Sequence, residues 1–334
     1  MGVSLETHGQ LIARLQSEID KALAFVAFEE PFALLDFPDH SNVGDSAIWL
    51  GELAFFAGAG RRPSYVCSLK NIDWRDLDRV VPKGTIFIHG GGNFGDVWPR
   101  HQAFREEVLA RLPGRRIVQF PQSVHFTSSG QIEQMARLIA EHGQFTLCVR
   151  DRSSFDFATA RFDCPVILCP DMAFCLGEQP RLAKPQYETL LLLRTDKEKA
   201  ADTGCIETIK TSPDLAHMDW LLEPSGTRLN ARYLAIAYSL ASTLKGGLQR
   251  QRLREEYYRQ LAMKRLRRGL RLLGSYAYVV SDRLHVHILS TLLGVRHCML
   301  DNNYGKIERF MDTWSTAWNG VLRTDSVASA LQRS

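Results

Sequence analysis

Between residues 32 and 168 the chain alternates short apolar blocks with longer amphipathic stretches, and that order leaves few architectures open. Phe32–Phe37, Tyr65–Cys67, Thr85–Ile88, Arg116–Phe120, Phe145–Val149 and Val166–Leu168 read as strands, whereas Ser46–Gly58, Gln102–Leu112 and Gln131–His142 carry helical periodicity. A strand with one wet face alternates polar with apolar residues; strands lacking that alternation are covered on both faces. The pattern predicts a parallel, doubly wound α/β sheet, with Asp45 capping the helix that follows the first strand.

Gly177–Gln186 is polar, holds two prolines and reads as a linker. A second series follows, with strands at Tyr187–Leu193, Met218–Leu221, Ala277–Val280 and Val295–Leu300 and helices at about 230–273 and 284–293. The expected organisation is therefore two Rossmann-like doubly wound domains, 1–180 and 187–334, facing a cleft. Loops at the carboxyl ends of the strands would line it, as in other open parallel sheets. Composition narrows the class further. Apolar residues at 45% and charged residues at 23% exclude wholesale disorder, and no run approaches the roughly 18 apolar residues of a membrane span. The first thirty residues lack the pattern of a secretory leader. Seven scattered cysteines without Cys-x-x-Cys pairing read as reduced core thiols of a cytoplasmic protein, and a net charge of +4 does not mark a nucleic-acid binder.

Four loops at strand ends hold the residues that could carry chemistry. In His40–Ser46, Gly44 permits close backbone approach and the helix start beyond it offers N–H groups to an anion; the alternative is a capped turn. His89–Asp96 contains Gly90, Gly91, Gly92 and Asn93 and literally satisfies Gly-x-Gly-x-x-Gly. It lacks the acidic residue a dinucleotide site places after the next strand, and it lacks the Lys-Ser/Thr of a phosphate loop. Its amides can still approach a sugar or phosphate, unless the glycines only tighten a turn. In Val149–Ser154, Ser153 can cap a helix while Arg150 or Arg152 points into the cleft; Arg194, ending the strand at 187–193, is comparable. The alternative for these arginines is an ion pair with Asp151 or Asp196. The fourth loop, Ser281–His287, is the sharpest. Arg283 suits a carboxylate or phosphate, and His285 suits proton transfer near neutral pH, whereas His287 must point elsewhere once the helix has begun and reads as structural.

Other signatures are negative. Asp76-Leu77-Asp78 follows no strand and reads as a solvated helix or turn, and there is no metal-ligand spacing or serine-hydrolase elbow. The segment 245–271 carries ten Lys and Arg against Glu255 and Glu256, with an apolar stripe of Leu253, Tyr257, Leu261, Leu266, Leu270 and Leu273. It suits either an anionic lipid surface or a charged outer face.

Taken in order, Asn42–Asp45, Gly90–Asn93, Arg150-Asp151, Pro170–Phe174, Leu193-Arg194, Arg283–His285 and Tyr304–Ile307 resemble the polysaccharide pyruvyl transferase family over about residues 30 to 310. The resemblance implies a glycosyltransferase B-like pair of domains, an acceptor side in the first and a donor side in the second. It implies transfer of the enolpyruvyl unit of phosphoenolpyruvate onto a sugar of an exopolysaccharide or its lipid-linked precursor, as a ketal, with no cofactor or metal. Arg283 would contact the donor and His285 would act as acid and base. Arg194 or Arg150 would be the second donor arginine, and Asn42, Gly44, Asp45, Gly90, Gly91, Gly92, Asn93, Leu284 and Lys306 would complete the substrate sites. A cytoplasmic enzyme touching the inner membrane through 245–271 fits that picture. The rival readings are a nucleotide-sugar glycosyltransferase in the same fold and a non-catalytic glycan-binding scaffold.

Overall fold

A computed structural model describes residues 6–26, 31–181, 184–194, 215–218, 220, 236, 238, 247–301, 305–315 and 318–332. It is a mixed α/β fold with two parallel sheets. The first comprises β1 (Ala33–Leu35), β2 (Tyr65–Val66), β3 (Ile86–Ile88), β4 (Gly91–Gly95), β5 (Ile117–His125), β6 (Phe145–Val149) and β7 (Val166–Leu168). Its order is β2-β1-β3-β5-β6-β7, with β4 pairing the far end of β5. The second comprises β8 (Tyr187–Leu192), β9 (Leu215–Met218), β10 (Tyr276–Ser281), β11 (Arg296–Met299) and β12 (Val321–Arg323), in the order β12-β11-β10-β8-β9. In each sheet the chain reverses its direction of winding once, between β1 and β3 and between β8 and β10. At such a switch point the loops leaving neighbouring strands diverge and open a crevice beyond their carboxyl ends.

The helices join the two sheets into one core. Leu11 and Leu15 of α1 (His8–Ala22), Trp49 of α2 (Val43–Gly58), Leu266 of the long helix at Gly247–Gly274 and Ile288 of the helix at Leu284–Leu293 share a single apolar cluster. Gly51 makes the closest of these approaches possible: a Cβ there would lie 1.9 Å from the Met172 carbonyl oxygen, in the short 3₁₀ turn Met172–Leu176.

Several expectations change. The helix after the first strand, α2, starts at Val43 rather than beyond Asp45, and Asn42 is its N-cap, its side chain accepting the Gly44 N–H at 3.0 Å. Asp151, not Ser153, caps the helix at Arg152–Arg161 by accepting the Ser154 N–H. Asp76 lies on a helix, Trp74–Val80, but is buried and not solvated; Arg79, Arg250 and Gln251 surround its carboxylate. β4 and β12 are strands the apolar pattern did not mark, and β9 precedes its expected position. Most of residues 230–246 lie outside the described residues, as do Asp196 and Cys205, while the six other cysteines are free thiols.

The basic helix is an outer face on one side only. Leu261, Leu266 and Leu273 are buried in the shared core, so its apolar stripe is turned inward. Two of its arginines hold the loop after β1: Arg265 Nη1 donates to the Pro38 carbonyl at 3.1 Å, and Arg268 Nη2 to that of Ser41 at 2.7 Å. Arg252, Arg267 and Arg271 remain exposed. Among the described residues no helix is long and apolar enough to cross a membrane.

Candidate active site

Both switch points open onto one cavity of about 390 Å³. The first sheet contributes His40, Asn42 and Asp45 after β1, His89 after β3, Gly92 and Asn93 on β4, and Arg150 after β6; the second contributes Arg194 after β8 and Arg283, Leu284 and His285 after β10. Lys306, at the start of the helix Lys306–Trp314, joins them.

The side chains meet as a set of imidazole–carboxylate pairs beside a set of cations. His285 Nε2 lies 3.4 Å from Asp171 Oδ2, His89 Nδ1 2.8 Å from Glu52 Oε2, His101 Nδ1 2.8 Å from Asp36 Oδ2, and His40 Nε2 3.5 Å from Asp45 Oδ2. Asp36, Glu52 and Asp171 are buried behind the cavity wall, so they act on it through the histidines. Asp36 holds a left-handed backbone at φ 69°, which aspartate tolerates better than most residues and which turns its side chain toward His101. A carboxylate on one ring nitrogen fixes the tautomer and orientation of the other.

Asp171 ties the two sheets together at this point. Its Oδ2 accepts from Arg150 Nη1 at 2.7 Å and faces His285, while its Oδ1 accepts the Ala173 N–H at 2.9 Å. Burial alone would raise its pKa, but His285 and Arg150 outweigh that and hold the carboxyl far below the usual range. Asp45 behaves alike: burial raises it, and the surrounding His40, His285, His89 and His101 bring it below its ordinary value. Arg150 is further fixed by donating from Nε to Ser123 Oγ at 3.0 Å. The Arg194 backbone N–H donates to Asp282 Oδ1 at 2.8 Å, which fastens the β8 loop to the β10 loop.

Two glycines shape the centre. A Cβ on Gly44 would lie 2.4 Å from His285 Cγ and Nδ1, so the imidazole rests on bare backbone. A Cβ on Gly92 would lie 2.9 Å from Arg150 Nη2 and 3.5 Å from Lys306 Nζ, so two cations converge where only hydrogen leaves room. The helix Leu284–Leu293 has no side-chain cap at Arg283, whereas Asn42 caps α2. The uncapped helix start facing the cavity, with amides and dipole suited to an anion, is therefore that of Leu284 and not, as the sequence suggested, that of α2.

The family model described as polysaccharide pyruvyl transferase matches residues 42–304, which take in strands of both sheets and most of the groups just described. The chain belongs to the polysaccharide pyruvyl transferase family. This pyruvyl transferase is 31% identical to Pyruvyl transferase 1 of Schizosaccharomyces pombe over 90% of its own length and 74% of that protein's. It is 30% identical, over 90% of each chain, to EpsO of Bacillus subtilis, whose name carries a provisional pyruvyl transferase assignment. A crystal structure of a functionally uncharacterised Klebsiella pneumoniae protein matches it with a TM-score of 0.58 at 19% identity, over 95% of this chain and 98% of that one, which shows a shared fold. The chain is thus an enzyme that transfers a pyruvyl group to polysaccharide.

In the pyruvyl transferase the residues expected from sequence divide into those on the cavity wall and those behind it. Arg283, Leu284, His285, Arg194, Arg150, Asn42, Asp45, Gly92, Asn93 and Lys306 line the cavity. Gly44, Gly90 and Gly91 do not: Gly44 sits under His285, and a Cβ on Gly90 would lie 2.8 Å from the Pro121 carbonyl oxygen. Asn93 is bound by its own neighbours, its Oδ1 accepting from Arg105 Nη2 at 2.8 Å and from Gln122 Nε2 at 3.0 Å. Arg150 pairs with Asp171 rather than Asp151, and Arg152 lies over the Phe155 ring. His287 is buried against His297 and Ser315, a structural role. The sequence reading missed Trp98 and His101, which border the cavity, and the buried Asp36 and Glu52. Trp98 and His101 follow the glycine-rich segment 90–95, which could have flagged them, whereas nothing local marks Asp36 or Glu52.

Proposed function

We propose that the donor is phosphoenolpyruvate and that the enzyme forms a ketal across two hydroxyls of a sugar in an exopolysaccharide or its lipid-linked precursor. The observation that carries this reading is the convergence of Arg150, Arg194, Arg283 and Lys306 around His285 in one cavity. The donor is a small molecule with a carboxylate and a phosphate, and paired cationic donors recognise each of these groups. Arg283, Arg194 and the uncapped amides at Leu284 suit one anion, and Arg150 Nη2 with Lys306 over Gly92 suits the other.

With Asp171 on Nε2, His285 keeps Nδ1 for substrate. As imidazolium it gives a proton to the methylene carbon, generating an oxocarbenium-like centre. One sugar hydroxyl adds to that carbon, the bond to the phosphate oxygen breaks, and the second hydroxyl closes the ketal. Of the two hydroxyl protons, one balances the proton now in the methyl group and the other leaves on phosphate. A cytosolic donor places the reaction in the cytoplasm, and the exposed Arg252, Arg267 and Arg271 could meet anionic headgroups if the acceptor is lipid-linked. The two parallel sheets flanking one cavity support the glycosyltransferase B-like description with acceptor and donor sides. Incubation with phosphoenolpyruvate and a saccharide acceptor should release phosphate mole for mole with product. Release of a nucleotide from a nucleotide sugar, with none of phosphate from phosphoenolpyruvate, would replace this reading with glycosyl transfer.

A further inference from the structure

The Glu52–His89 pair is buried and is not used by the chemistry assigned to His285. Glu52 is fully buried on α2 beside Ala47, Ile48, Trp49 and Leu50, where an apolar residue would pack without the cost of desolvating a carboxylate. Two donors compensate it: the Gly90 N–H at 2.8 Å and His89 Nδ1 at 2.8 Å. His89 follows β3 on the cavity wall and is 2% exposed, and its Nε2 is buried with no hydrogen-bond partner. A buried polar atom without a partner calls for an explanation, and a catalytic role is one.

Ketal formation also requires more proton traffic than one imidazole carries at once. His285 can give a proton at the methylene carbon and recover one from the first hydroxyl, which returns it to its starting state. The second hydroxyl still has to lose its proton as it attacks. We propose that His89, oriented by Glu52, is a second catalytic base whose Nε2 takes the proton of the second acceptor hydroxyl and passes it on to the departing phosphate or to solvent. The new bond is between that oxygen and the former carbonyl-level carbon of the donor, and no other co-reactant is required. Glu52 is a positioning residue: it keeps the proton on Nδ1 and so leaves Nε2 as the acceptor. Burial lowers the basicity of His89, but Glu52, with Asp36 and Asp45 facing it from the β1 loop and the first turn of α2, raises it above its ordinary value. A base of that strength stays effective near neutral pH.

The inference rests on the proposed donor and acceptor, and its test separates the two. Wild type, His89→Gln, His89→Ala and Glu52→Gln are compared for phosphate release with a saccharide acceptor and, by calorimetry, for phosphoenolpyruvate binding. The expected result is a fall in kcat of about 10² to 10⁴ for His89→Gln with donor affinity within twofold of wild type. Exogenous imidazole should restore part of the rate to His89→Ala. Glu52→Gln should lower kcat and move the acidic limb of the pH–rate profile to lower pH, because Glu52 raises the basicity of His89, while binding the donor normally. Wild-type turnover with His89→Gln within threefold of it overturns the second base alone, as does loss of donor binding in parallel with rate and without imidazole rescue. A wild-type enzyme that releases no phosphate from phosphoenolpyruvate overturns both readings.

Discussion

Gly44→Ala tests the seating of His285 more sharply than removal of the histidine itself. Ordinary contact begins near 3.4 Å, and the added methyl carbon would stand 2.4 Å from two ring atoms and 2.7 Å from Cβ of His285. The imidazole must therefore retreat by about 1 Å, and its Cβ contact prevents a simple rotation away. A displacement of that size at a reacting group costs about 10²-fold in rate, close to 3 kcal/mol of barrier. The fold should survive, because alanine in place of a helical glycine contributes about 1 kcal/mol and offsets much of an overpacking cost of about 1–3 kcal/mol. Steady-state phosphate release should show kcat down about 100-fold. In a His285→Ala background the same substitution should have almost no further effect, since nothing is left to displace. Equal losses in both backgrounds, or a Gly44→Ala enzyme at wild-type rate, would refute the reasoning.

Other substitutions probe the neighbouring groups. Asp171→Asn removes the partner of both Arg150 and His285; kcat should fall at least about 10²-fold, and unfolding in denaturant should show a loss of about 3–5 kcal/mol, because buried Arg150 is left uncompensated. Gly92→Ala places a methyl group between Arg150 and Lys306 and should raise KM for the donor about tenfold, roughly 1.4 kcal/mol, with a smaller change in kcat. Stability should fall as pH drops from 6.5 toward 4. Burial pushes His297 down to about 4 and His287 well below its ordinary 6.5, so the unfolded chain takes up these protons first; the contribution is full above 6.5 and declines by on the order of 1 kcal/mol per pH unit per histidine. Thermal unfolding across that range checks the slope, and a flat profile would contradict it.

The parts of the fold that were legible in sequence are those whose burial is two-sided. β3 stands within one residue of the limits its apolar run gave it, because Ile86, Phe87 and Ile88 are all buried and leave no polar residue to blur its ends. β4 was hidden for the opposite reason: Gly91-Gly92-Asn93-Phe94-Gly95 has no apolar run, and it is a strand only because β5 extends to His125 and offers an edge. Asn42 and Asp45 are both good capping residues three positions apart, and local propensity does not choose between them. The Asn42 side chain accepts from the Gly44 amide, whereas Asp45 accepts from the Asn42 side chain.

The site was legible where its parts are neighbours in the chain, as in Arg283-Leu284-His285, and illegible where they meet across the fold. Glu52 and His89 are 37 residues apart, and Asp36 and His101 are 65 apart; nothing in either local sequence announces its partner. The basic helix shows a related limit. Its composition suggests an outer surface, yet Arg265 and Arg268 reach carbonyl groups of the loop after β1, so charge that looks solvent-facing in sequence holds the cavity wall in place.

The most direct test follows the proton itself. With the reaction run in heavy water, NMR of the product should find a ketal methyl group carrying one deuteron for each phosphate released, and both signals should fall together in His285→Ala. A product formed at the wild-type rate by that variant, or a pyruvyl methylene recovered without deuterium, would contradict the account.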